Sequence, residues 1–155
     1  MCLVIDANCF ALVFSKTANG FTPVRVWIYK GRGRMIYGGT KYNQELAAAG
    51  MLPLLKELST SRRAAHISNV TVDTIAAELK LKFPARKFND EHIVALVIAS
   101  RCRVVCTHDR TAIDYLKRPD VFAGYAGVKR PKIFRGYKNH FSMCCDRNIV
   151  QACLG

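Results

Sequence analysis

Cys2-Leu3-Val4-Ile5-Asp6-Ala7-Asn8 sets a short, unbroken apolar run against an acid, an alanine and an amide. So short a run is read as a strand buried on both faces, of the kind a parallel sheet contains. A second run, Arg103-Val104-Val105-Cys106-Thr107, ends in His108-Asp109. Between the two, helical spacing takes over. Val72, Ile75 and Leu79 recur along one predicted helix that stops at Phe83-Pro84, with Asp73 in its first turn. Asn89 is expected to cap a further helix, with Ile93, Leu96 and Val97 as its buried stripe. A short helix then reaches Leu116 before Pro119. Ala65 to Val70 reads as another core strand, and Lys132-Ile133-Phe134 as a last one.

Nearer the start, Val24 to Tyr29 and Met35 to Tyr37 flank Lys30-Gly31-Arg32-Gly33-Arg34, which predicts a β-hairpin with positive φ at its glycines. After Gly38-Gly39, Thr40 is expected to cap a helix that holds Glu45 and Leu46 and stops near Gly50. Pro53 suits the first turn of the next helix, whose apolar face is Leu54, Leu55 and Leu58. Strand and helix thus alternate, which implies an α/β fold: a mainly parallel central sheet with helices on both faces. The 155 residues, half of them apolar, suit one domain over 1–155. Its basic segments are the hairpin near 24–38 and a tail over 121–155.

Lys and Arg number 24 against 11 Asp and Glu, a formal charge of +13. Charge of that sign selects nucleic acid, an anionic membrane surface or an acidic protein as partner. The membrane is set aside, because no apolar run approaches the ~18 residues of a spanning helix. The first residues lack the basic region of a signal peptide. Seven cysteines without a C-x-x-C pair are then expected as reduced thiols in the cytoplasm. His140, Cys144, Cys145 and Cys153 fit structural zinc spacing poorly.

In so basic a chain the acids stand out. Asp6 and Asp109 each follow a predicted core strand, where α/β proteins build their sites. Asp90 opens a helix and Glu45 lies in the one after the hairpin. Glu57 is an alternative to Glu45, and Asp114 is either an auxiliary ligand or a solvated helix acid. Carboxylates gathered at one edge need a cation or a shared proton. A hard divalent ion such as Mg²⁺ is commonly held by one or two carboxylates with water and phosphate. Such an ion generates a hydroxide nucleophile for phosphodiester displacement. The bland alternative is that these acids are helix caps and loop residues.

Asp6-Ala7-Asn8 after a strand, Glu45 in a following helix, Asn89-Asp90 opening an apolar helix and Thr107-His108-Asp109 after a strand together resemble the PIN-domain nucleases, over roughly residues 1–120. The resemblance implies a Rossmann-like, three-layer α/β/α sandwich and cleavage of single-stranded RNA. It implies Asp6, Glu45, Asp90 and Asp109 as the catalytic set, with Mg²⁺ or Mn²⁺ on Asp6, Asp90 and Asp109. Asn8 would orient Asp6, and the Thr107 hydroxyl would support the site. Many small members are toxins neutralised by an antitoxin. RNA, single-stranded or structured such as tRNA, is the expected substrate, with an antitoxin or a second copy of the chain as candidate partners.

Lys30, Arg32, Arg34, Lys41, Lys129 and Arg130 are the expected RNA contacts, on a face shared with the acids. Trp27, Tyr29, Tyr37 and Tyr42 are interleaved with the first of these, and aromatic rings can stack unpaired bases. Two functions from different classes follow: a metal-dependent endoribonuclease, or a non-catalytic module on the same fold that binds RNA or an antitoxin.

Overall fold

Every strand pairing in the computed structural model is parallel; it describes residues 2–85, 88–138 and 140–154. The strands are β1 (Cys2–Ile5), β2 (Arg34–Tyr37), β3 (Ala64–His66), β4 (Val104–Cys106) and β5 (Lys132–Phe134). They form a single sheet in the order β3-β2-β1-β4-β5. β1 lies at the centre, with Val4 in register with Ile36 on one side and Val105 on the other. Its four residues are fully buried, which explains why it has no polar alternation.

The helices are α1 (Phe10–Val13), α2 (Thr22–Lys30), α3 (Thr40–Ala48), α4 (Leu52–Thr60), α5 (Asn69–Lys82), α6 (Glu91–Ser100), α7 (Arg110–Lys117), α8 (Pro119–Phe122) and α9 (His140–Met143). From β1 the chain builds outward to β3, then returns beside β1 as β4 and builds outward the other way. Right-handed crossovers running in opposite directions place helices on opposite faces of the sheet. The result is a three-layer α/β/α sandwich. α6 is its buried centrepiece: Ile93 to Ile98 are all buried, and α5 packs along it.

The predicted hairpin does not form. Val24 to Tyr29 belongs to α2, with Pro23 in its first turn. Val24 and Ile28, one turn apart, are buried, while Val26 between them is exposed. β-Branched residues at alternate positions satisfy the strand period and the helix period alike, and the parallel sheet requires a crossover here. Gly31 and Gly33 are not in the positive-φ region either. Gly33 serves close approach: a Cβ there would lie 2.5 Å from the Trp27 ring.

Smaller differences follow from packing. The strand expected over Ala65–Val70 is only Ala64–His66, because Asn69 already starts α5. Asp90, not Asn89, holds the N-cap position of α6. Gly39 takes the N-cap of α3, and Thr40 instead donates its N–H and hydroxyl to Asp73, at 2.8 and 2.6 Å. Cys2 and Cys153 form a disulfide across 151 residues, so the expectation of seven free thiols fails. The closing turn Gln151–Cys153 brings the tail back to the start of β1, a proximity that Cys spacing along the chain does not encode. Among the described residues no helix is long and apolar enough to cross a membrane.

Candidate active site at the carboxyl edge of the sheet

The order in which strands are added to the sheet reverses between β1 and β4, so their carboxyl ends mark the switch point, where open α/β sheets form their crevice. Asp6 follows β1 and is buried; its N–H donates to the Cys106 carbonyl at 2.9 Å, tying the two strand ends together. The fully buried Thr107 hydroxyl donates to Asp6 Oδ2 at 2.6 Å and accepts the Asp109 N–H at 3.0 Å. A single hydroxyl therefore sets both strand-end acids. Asp109 Oδ1 caps α7 by accepting the Ala112 N–H at 3.0 Å. Asn8 reaches Asp6 through its backbone N–H, at 3.4 Å, rather than through its exposed side chain. Tyr42, buried in α3, donates its hydroxyl to the Ile5 carbonyl and fixes that helix to the same strand end.

Asp90 comes from the opening of α6. Its Oδ2 is buried and has no hydrogen-bond partner among the described residues. Burial raises its pKa to about 6, with further repulsion from Asp109, Asp6 and Glu45, and Lys41 opposing the rise. Asp6 is also raised, chiefly by burial, against the bonds from Thr107 and Asn8. The fold thus brings the four expected acids within electrostatic reach of one another.

Glu45 enters from α3, and its Oε2 lies 2.9 Å from His92 Nε2. Its side chain keeps 37% exposure while that of His92 is 2% exposed, so the pair joins the crevice to solvent. Burial lowers the His92 pKa, with Glu45 working in the other direction. Lys41 Nζ stands 3.2 Å from Glu91 Oε1 and donates to the Asn89 carbonyl. Lys41 therefore offsets acid charge at this edge.

His92 and Glu91 carry more of the site than sequence reasoning assigned them. The available signal was Asp90-Glu91-His92 at the head of an otherwise apolar helix, where polar groups are carried inward. Asp114 is exposed on α7, and Glu57 is exposed on α4 beside the Tyr29 hydroxyl; neither joins. His108 is exposed, its ring 5.0 Å from Phe21. Cys9 is pushed up to about 12, by burial first and Asp6 second, and so packs as a neutral thiol.

Among the described residues no three His, Cys, Asp or Glu side chains form a ready metal shell. Asp6, Asp109 and Glu45 each spend an oxygen on Thr107, Ala112 or His92. What fits a cation is the unpartnered Asp90 oxygen in a crevice of hard oxygen donors. Mg²⁺ and Mn²⁺ suit that set, because they are held by few carboxylates and keep several waters. Zinc on the tail is ruled out for Cys153, which is bonded to Cys2.

The expected cations mostly lie elsewhere. In an all-parallel sheet, residues that precede strands share the edge opposite to those that follow them. Lys30, Arg32 and Arg34 lead into β2, and Lys129 and Arg130 lead into β5. All five therefore stand at the amino edge, away from Asp6 and Asp109, and only Lys41 shares the acidic edge. Arg32 pairs with Asp146 at 3.3 Å, and Arg130 donates to the Lys117 carbonyl at 2.9 Å. Of the interleaved aromatics, Tyr42 is core and Trp27 covers the glycines.

Comparison with protein-family models, curated proteins and solved structures gives no significant match for this chain.

Proposed function

We propose that this chain is a divalent-metal-dependent endoribonuclease of the PIN-like kind, acting on RNA. The observation that carries the reading is Asp90: a buried, unpartnered carboxylate oxygen facing three further acids at the switch point. Clustered anions gain nothing as a surface for RNA, whereas a cation relieves their repulsion. Asp90 and Asp6 would hold Mg²⁺ or Mn²⁺, with Asp109 completing the donor set. Bound there, the ion would supply an activated water and neutralise the phosphodiester. Thr107 holds Asp6 in place and couples it to Asp109. Glu45, held through Oε2 by His92 and open to solvent, would orient a water and accept its proton at Oε1.

The test is cleavage of a fluorescent single-stranded RNA in Mg²⁺, Mn²⁺ or EDTA, wild type against Asp6→Asn. Cleavage in either metal, none in EDTA and a loss of at least about 100-fold in the variant are expected. Equal turnover in EDTA, or in Asp6→Asn, rejects the mechanism. The internal bonds of Asp6, Asp109 and Glu45 favour a second reading, a non-catalytic RNA-binding or antitoxin-binding module. Binding of the same RNA with no metal-dependent cleavage selects that reading.

A further inference from the structure

The amino edge of the sheet carries a surface of its own. Arg103 immediately precedes β4 and Lys132 opens β5, and the Lys132 N–H donates to the Arg103 carbonyl at 2.8 Å. Two adjacent strands therefore begin side by side with a cation each. Lys129 and Arg130 arrive with the loop before β5, and Arg147 with the turn Asp146–Asn148. Together they line a recess of about 450 Å³, with Ser142 and Asn148 as its remaining lining. Among the described residues no carboxylate lines it.

The recess is built. Asn148 is buried, and its Nδ2 donates to the Met143 carbonyl at 2.8 Å and the Ser142 carbonyl at 3.2 Å, fixing the turn that carries Arg147. Lys132 Nζ donates to that same Ser142 carbonyl at 3.3 Å. Arg130 spends one nitrogen on Lys117 and keeps the rest of its five donors. The ion pairs among the described residues involve none of these five cations. Like charges held together without an internal anion are repulsive, and an external anion relieves that cost.

A second recess, of about 340 Å³, lies along the same edge where β2 and β3 begin, lined by Arg34, Arg62 and Arg63 among others. From β2 to β5 there are three strand spacings, about 14 Å. A row of that length matches several charges of a nucleic-acid strand, which repeat every ~3.4 Å, better than one small anion. Arginine forks suit phosphate geometry in particular.

We infer that the amino edge of the sheet, centred on the recess of Arg103, Lys129, Arg130, Lys132 and Arg147, is a docking track for the phosphates of a nucleic-acid strand, separate from the carboxylate crevice. It stands whether or not the carboxylates cleave RNA.

Fluorescence anisotropy of a labelled 12-nucleotide oligouridine RNA, in EDTA so that no metal chemistry intrudes, tests it. The variant Arg103→Ala/Lys129→Ala/Arg147→Ala is compared with Lys16→Ala/Lys56→Ala/Lys80→Ala, an equal charge loss at exposed sites outside the recess. The first variant is expected to bind at least about tenfold more weakly, with the slope of log affinity against log salt shallower by about 2. The second should match wild type, and Lys129→Glu alone should weaken binding without unfolding. Equal binding by the two triple variants overturns the proposal. So does polyglutamate binding as tightly as RNA with the same sensitivity, which would assign the edge to an acidic protein. Pyrophosphate binding as tightly as the oligonucleotide would reduce the track to a small-anion pocket and overturn it too.

Discussion

Asp90 is a carboxyl placed where its charged form is least welcome. Its folded pKa of about 6 lies above the ordinary 3.8, so between those values the folded chain holds more protons than the unfolded one. Stability therefore falls as pH rises through that window, and the full cost is present above pH 6. Removing the charge while keeping the shape should reverse this. Asp90→Asn is expected to stabilise the metal-free protein at pH 7 by about 1 kcal/mol after discounting for partial exposure, or a Tm about 2–4 °C higher. The gain should shrink as pH falls from about 6 toward 3.8 and be lost below that. Thermal melts across pH 4–8 read it directly, and a variant equally destabilised at every pH would show that Asp90 is a structural cap. The strand-end positions of Asp6 and Asp109 and the helix-opening position of Asp90 were legible in the chain because they are local features, whereas only the spacing that the resemblance implies favours Glu45 over Glu57. The pairing of His92 with Glu45 was not, since 47 residues separate them and only the packing of α3 on α6 brings them together.

At the scale of elements, β1 and β4 were readable because full burial imposes unbroken apolar runs. α2 was misread because Val24, Val26 and Ile28 satisfy two periods at once; Pro23, a first-turn signal, pointed to the helix. The turn from β2 into α3 shows how tightly neighbouring elements constrain each other. Gly38 has φ +147°, and a Cβ there would stand 2.1 Å from the Ile67 carbonyl oxygen. Gly50, at φ +70°, faces open space. Gly38→Ala should thus cost about 3 kcal/mol or more, strain plus a backbone clash, and Gly50→Ala only about 1 kcal/mol. Urea unfolding of both variants separates the two terms; equal costs would mean that Gly38 is not packed against the Ile67 backbone. That turn aims α3, and with it Glu45 and Lys41, at the crevice.

For the whole molecule, the direction of the sheet sorts charge. Asp6 and Asp109 follow strands and mark the carboxyl edge; Arg34, Arg63, Arg103 and Lys132 stand where strands begin and mark the other. The net charge of +13 raises the expectation of an anionic partner but gives no docking side. The side proposed above follows from strand direction, which a hairpin over Lys30 to Arg34 would not reveal. The disulfide between Cys2 and Cys153 was hidden for a related reason, since it depends on where the tail returns. An acidic crevice on one edge and a cationic row on the other leave the proposed chemistry resting on a cation being held at the first. Mn²⁺ titration followed by electron paramagnetic resonance measures that without RNA. Wild type should bind one Mn²⁺ per chain in competition with Mg²⁺, and Asp90→Asn should weaken it at least about tenfold. No specific Mn²⁺ binding, or binding unchanged in Asp90→Asn, would contradict the assignment of the crevice as a metal-dependent active site.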